Sequence, residues 1–147
     1  MKKFIQNKLK DQKGLTLIEL LAVIVILAII AAIAIPAIGN IIENSRVGAI
    51  KSDALNAMAA AEMFLADNPD ETGVDVITDL NGYLDDAGSL SAFTYTPATS
   101  STDATMTGTG NVSTVTLTFA AGTTKADIND LPNNTAASTV DTITIAR

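Results

Sequence analysis

A chain of 147 residues is long enough for one modest domain plus a membrane segment, and too short for two full domains. It contains no cysteine and no histidine, which excludes disulfides, thiolate metal sites and a lipid-modified N-terminal cysteine, and removes the commonest general base and metal ligand near neutral pH. Of its nine basic residues, Lys2, Lys3, Lys8, Lys10 and Lys13 precede Gly14, and beyond that point four basic residues face fifteen acidic ones. A body this acidic repels phosphate backbones, so no direct nucleic-acid binding is expected.

Residues 1–14 are basic and polar, with Phe4, Ile5 and Leu9 too scattered to form an apolar run. A secretory signal places its apolar region before the cleavage site, whereas here the apolar run begins after Gly14. From Leu15 to Ile38 only Thr16, Glu19 and Pro36 depart from apolar residue types. At a rise of about 1.5 Å per residue this stretch spans a hydrocarbon core. The lysines before it set the N-terminus on the cytoplasmic side and residues after about Asn40 outside. A plain single-pass anchor explains all of this except Glu19. A carboxylate inside a membrane segment implies a partner, and no basic residue lies between Lys13 and Arg46. If the chain is cut after Gly14, the new α-amino group of Leu15 supplies a positive charge near the same depth.

The run Lys13-Gly14-Leu15-Thr16-Leu17-Ile18-Glu19, followed by apolar residues to about Ile38, resembles the class III signal of type IV prepilins and pseudopilins. Four features coincide: a basic residue, the glycine, a glutamate four residues after the leucine, and the apolar run. Pro36 also falls where many family members have a helix-bending proline. The resemblance implies that a membrane-embedded aspartyl prepilin peptidase cleaves between Gly14 and Leu15 and N-methylates Leu15. It also implies that Glu19, with Thr16 in the same assembly site, attracts the amino terminus of an adjacent subunit. That pairing neutralises a lipid-buried charge only in the correct register, so the carboxylate serves as a registry device. The implied partners are the prepilin peptidase, identical or related pilin subunits, an inner-membrane assembly platform with its ATPase, and membrane lipid before assembly. Many family members have phenylalanine where Leu15 stands; leucine keeps the hydrophobicity. The leader is longer than the shortest in the family, which points to a Gram-positive-type member.

Helical periodicity continues past Ile38. Val47, Ile50, Ala54, Met58, Ala61 and Leu65 recur at intervals of three and four and define one amphipathic face. Glu43, Arg46, Lys51, Asp53 and Glu62 are expected on the exposed face, and Asn68-Pro69 is a stop signal. A helix from about Thr16 to Asp67 would be roughly 75–80 Å long. Pro36 removes a ladder hydrogen bond, and Gly39 loosens the same neighbourhood, so a kink is expected there.

After the helix, residues 67–91 are acidic and turn-rich, with Val74, Val76, Ile77, Leu80, Tyr83 and Leu84 available to cap it. Asp85, Asp86 and the acidic residues of 67–71 do not have the spacing of a calcium hand and read as solvated loop. Strands are predicted at Phe93–Thr96, Val112–Phe119 and Thr139–Ala146 from alternation and β-branched residues. The Ser/Thr-rich stretch Thr94–Thr109 reads as an exposed loop. Asn111-Val112-Ser113 and Asn133-Asn134-Thr135 match the N-glycosylation pattern, read here as coincidence.

The expected fold is α+β: a long N-terminal helix, membrane-spanning in its first half, with a small antiparallel sheet on its C-terminal half. The expected divisions are a cleaved leader at 1–14, an assembly helix at 15–38, its amphipathic continuation at 39–67 and an extracellular head at 68–147. The expected function is a structural subunit that polymerises through its N-terminal helix into a type IV pilus at the cell surface. The alternatives are a pseudopilin of a competence or type II secretion system, and a membrane-tethered binding module. No enzyme activity, cofactor or metal is expected, since no nucleophile motif or paired-carboxylate pocket can be argued from spacing.

Overall fold

The computed structural model of the chain describes residues 16–75, 77–134, 138–140 and 142–147. Gly14, Leu15 and the leader lysines lie outside the described residues. The chain divides into two units, Met1–Gly39 and Asn40–Arg147.

Helix α1 spans Leu17–Asp67. Straight-chain and β-branched apolar residues fill its first half, and alanine is dense towards its end, where it favours helix. Asn68 terminates it: its backbone N–H and its side-chain amide both donate to the Phe64 carbonyl, at 2.9 and 2.8 Å. Pro69 then prevents continuation. Pro36 and Gly39 lie within the helical span. No residue of α1 before Val47 is buried, whereas Val47, Ile50, Ala54, Ala57, Met58, Ala60 and Ala61 are. The expected stripe is therefore the core face, widened by two alanines, with Leu65 partly buried at its end.

In the second unit a 3-10 turn at Ile77–Leu80 precedes five strands and a short helix. These are β1 (Leu90–Thr96), β2 (Thr105–Val112), β3 (Val115–Thr124), α2 (Lys125–Asp130), β4 (Ser138–Val140) and β5 (Ile143–Ala146). All pairings are antiparallel, in the order β1-β2-β3-β5-β4. One face of the sheet sends Phe93, Tyr95, Met106, Val115, Leu117, Phe119, Ile143 and Ile145 into the core shared with α1. Val74 and Leu80 close the core from the acidic connection, and Tyr83 and Leu84 pack on it. The α+β class follows directly from this arrangement: a period-2 apolar face covering a period-3.6 stripe.

The strands differ from the sequence reading, β1 starting earlier at Leu90 and β3 running on to Thr124, and three further differences have a clear physical cause. The stretch expected as one strand from Val112 is two, because Val112 pairs with Val115 across a tight turn at Ser113 and Thr114. Ser113 adopts a positive φ of 58° there, as two-residue hairpins require. Thr139–Ala146 is likewise the hairpin β4–β5, with Thr142 in the turn where the alternation slips. Most of β2 falls in the stretch that the sequence reads as exposed loop. Its Gly108 and Gly110 are held by crowding. A β-carbon on Gly108 would strike the Ala92 carbonyl, and one on Gly110 would strike the Ile50 side chain. Glycine is what lets this strand approach the neighbouring strand and the helix so closely.

Candidate functional site

Thr16 stands immediately before α1, and Glu19 is the third residue of the chain after it. The Thr16 backbone N–H and hydroxyl both donate to Glu19 Oε2, at 2.7 and 2.8 Å. In return the Glu19 N–H donates to Thr16 Oγ1 at 3.3 Å. This is a reciprocal capping box, which satisfies orphan N–H groups at a helix start and places a negative charge at the positive end of the helix dipole. Among the described residues the Glu19 carboxylate is thus held by neutral donors of its own chain, and Leu15, whose amine the sequence reading pairs with it, lies outside them. Thr-x-x-Glu before an apolar run is the sequence signature of such a box.

Beyond this cap the helix offers almost nothing but exposed apolar side chains. Leu17, Ile18, Leu20, Leu21, Val23 and Ile24 begin a series that continues through Ile42. By length and composition this is a helix that can cross a membrane, and none of its most apolar window is buried within the chain. An uncovered apolar surface of this extent is not stable in water.

A family model described as the prokaryotic N-terminal methylation motif matches residues 9–35. The chain carries the class III signal of type IV prepilins. No curated protein and no solved structure matches it. The motif implies processing by a prepilin peptidase and supports a precursor of the pilin or pseudopilin type. Together with the apolar helix, it fits a membrane-anchored precursor.

In the unit Asn40–Arg147 the charged residues expected on the exposed helix face are instead tied to the sheet and loops. Asp53 Oδ2 accepts from the Ser89 backbone N–H at 2.7 Å and from its hydroxyl at 2.6 Å. Gly88 beside it has φ +59°, and a β-carbon there would lie 2.5 Å from the Asp53 carboxylate. Glu62 Oε1 accepts from the Tyr95 hydroxyl at 3.1 Å and from Lys125 Nζ at 2.6 Å. Lys51 Nζ donates to the Asn129 and Leu131 carbonyls, at 3.3 and 2.5 Å, and so caps the C-terminal end of α2. The Arg147 guanidinium bonds Glu43, Asn44 and the Asn133 carbonyl. Arg46 donates to Thr114 Oγ1 at 3.1 Å.

These ties perturb three ionisable groups. Burial, with the Glu62 carboxylate beside it, pushes the Tyr95 hydroxyl far above the usual phenol range. The hydrogen bond to Asp67 raises Tyr83. Burial lowers the Lys51 ammonium, and Asp130 works against that shift. Among the described residues no three acidic side chains converge to hold a metal ion.

Proposed function

We propose that the chain is the structural subunit of a type IV pilus. The observation that supports this most strongly is the methylation motif at residues 9–35, lying on a helix whose apolar side chains are exposed as far as Ile42. Such a surface needs lipid before assembly and other copies of the same helix after it. In this reading the prepilin peptidase cuts between Gly14 and Leu15 and methylates Leu15. The precursor is a single-pass protein of the cytoplasmic membrane with its N-terminus inside, and an assembly platform with its ATPase draws the processed chain into a surface fibre. The motif is common to pilins and pseudopilins. The acidic, Thr-rich head favours the exposed fibre.

Within this reading Thr16 and Glu19 have two linked tasks. The capping box survives cleavage, because the Thr16 amide remains a peptide N–H once Leu15 becomes the first residue. The new amine is then on the residue next to Thr16, which holds the carboxylate, and Glu19 is kept in place to meet the amine of its own or a neighbouring chain. Pro36 and Gly39 are the positions where the helix gives during packing, since Pro36 lacks a ladder donor. The test is Glu19→Ala in cells that make the filament. Processing should be normal and the yield of sheared filaments should fall sharply. Filaments at wild-type yield would remove the registry role, and absence of filaments from the unaltered chain would remove the pilus.

A further inference from the structure

The unit Asn40–Arg147 holds fourteen acidic and only four basic residues. Identical heads of that charge repel one another when packed side by side, so close contact between them needs a local exception. Three of the four cations are already committed: Lys125 to Glu62 and Arg147 to Glu43 as ion pairs, and Lys51 to the carbonyls that close α2. Arg46 is different. Among the described residues its guanidinium meets only the neutral Thr114 hydroxyl, which leaves most of its donor fork unused.

The same unit carries a complementary feature on α1. An open groove of about 400 Å³ has the apolar Ala59, Ala60 and Met63 along its floor on α1 with Asn56 beside them, and is also lined by Asp85 and Asp86. Met63 is 55% exposed on that floor, and both aspartates are exposed. Asp86 accepts one backbone bond from Gly88 through Oδ1. An apolar floor beside paired carboxylates suits an arginine, which lays an aliphatic stem on apolar surface and presents a planar fork to carboxylate oxygens. A lysine or a metal ion would use the carboxylates but not the floor.

We propose that this groove receives Arg46 of a second copy of the chain. The proposal rests on the pilus reading and concerns a head contact separate from the one assigned to Glu19. In parallel, staggered copies, which the pilus reading supplies, the contact is heterologous and propagates along a filament instead of closing a dimer. Arg46 lies about 20 Å along the helix from the groove floor, at 1.5 Å per residue, and the two copies in contact are staggered by that distance.

The natural chain has no cysteine, so an engineered pair reports this contact without background. Filaments of the double variant Arg46→Cys, Asp86→Cys, oxidised on the cell surface, should run as a ladder of covalent multimers that reduction collapses. Each single variant should give no ladder. Double-variant filaments that remain monomeric after oxidation would overturn the proposal. A charge-swap series decides the matter if the double variant does not assemble. Arg46→Glu should lower filament yield by about tenfold or more, since like charges then face each other, and adding Asp85→Lys with Asp86→Lys should restore it. Wild-type yield from Arg46→Glu, or no recovery in the triple variant, would contradict the pairing. Absence of filaments from the unaltered chain would instead remove the pilus reading itself.

Discussion

The two parts of α1 are one secondary structure with two different physical supports. From Leu17 to Ile42 the helix buries nothing inside the chain, and its large apolar side chains stand exposed. From Val47 to Ala61 the same helix buries seven residues against a sheet. The first stretch satisfies its backbone internally and leaves its side chains for a lipid or protein environment. The second is held by a core of its own. A substitution should therefore be felt in folding or in assembly according to which stretch it strikes.

The largest difference is expected between two large-to-small changes. Phe119, fully buried at the centre of the sheet, should cost about 3–5 kcal/mol of head stability as Phe119→Ala. Leu27→Ala, at a position 57% exposed, should leave that stability unchanged within about 0.5 kcal/mol. Urea unfolding of the full chain in detergent measures both. Equal losses at the two positions would mean that the stretches do not differ in support.

Asp53→Ala comes next. It removes a charged acceptor from the Ser89 N–H and hydroxyl, and should cost about 1–3 kcal/mol in the same assay. The loss should also be accompanied by faster hydrogen exchange at residues 86–89, because Asp53 is what holds that turn to the helix.

The alkaline limb of stability isolates Tyr95. Its hydroxyl ordinarily ionises near 10.0 and is raised in the fold, so unfolded chains lose the proton first as pH rises. Stability from this group is fully present below pH 10.0 and falls as pH climbs above it towards the raised value. Lys51 acts in the opposite sense, because burial lowers its ammonium. The comparison of wild type with Tyr95→Phe cancels the lysine, and the variant should show the flatter alkaline slope.

Smallest is the surface pair. Lys125 and Glu62 meet at 2.6 Å with side chains 40% and 46% exposed, and Lys125→Ala should cost less than about 1 kcal/mol and lose even that in high salt.

Much of this division was legible in the sequence, and the reasons are physical. A charge-free apolar run and a stripe at intervals of three and four are periodic signals that survive without tertiary context. The helix stop at Asn68-Pro69 is a local one, set by the absence of a donor on proline. What could not be read depended on neighbours distant in sequence. Gly108 and Gly110 look like breakers until Ala92 and Ile50 press against them. Glu43, Lys51 and Glu62 look like solvent-facing charges until Arg147, the end of α2 and Tyr95 meet them. Two features were local and still overlooked. The capping boxes Thr16-x-x-Glu19 and Thr124-x-x-Asp127 are sequence signatures in their own right, and the second starts the short helix α2, which was not anticipated.

We propose that the apolar stretch is uncovered because it is made for processing and assembly. Sequencing the N-terminus of the chain after co-expression with a prepilin peptidase tests it most directly. The mature protein should begin at Leu15 and carry an N-methyl group. A chain that still begins at Met1, or one cut at another position, would contradict it.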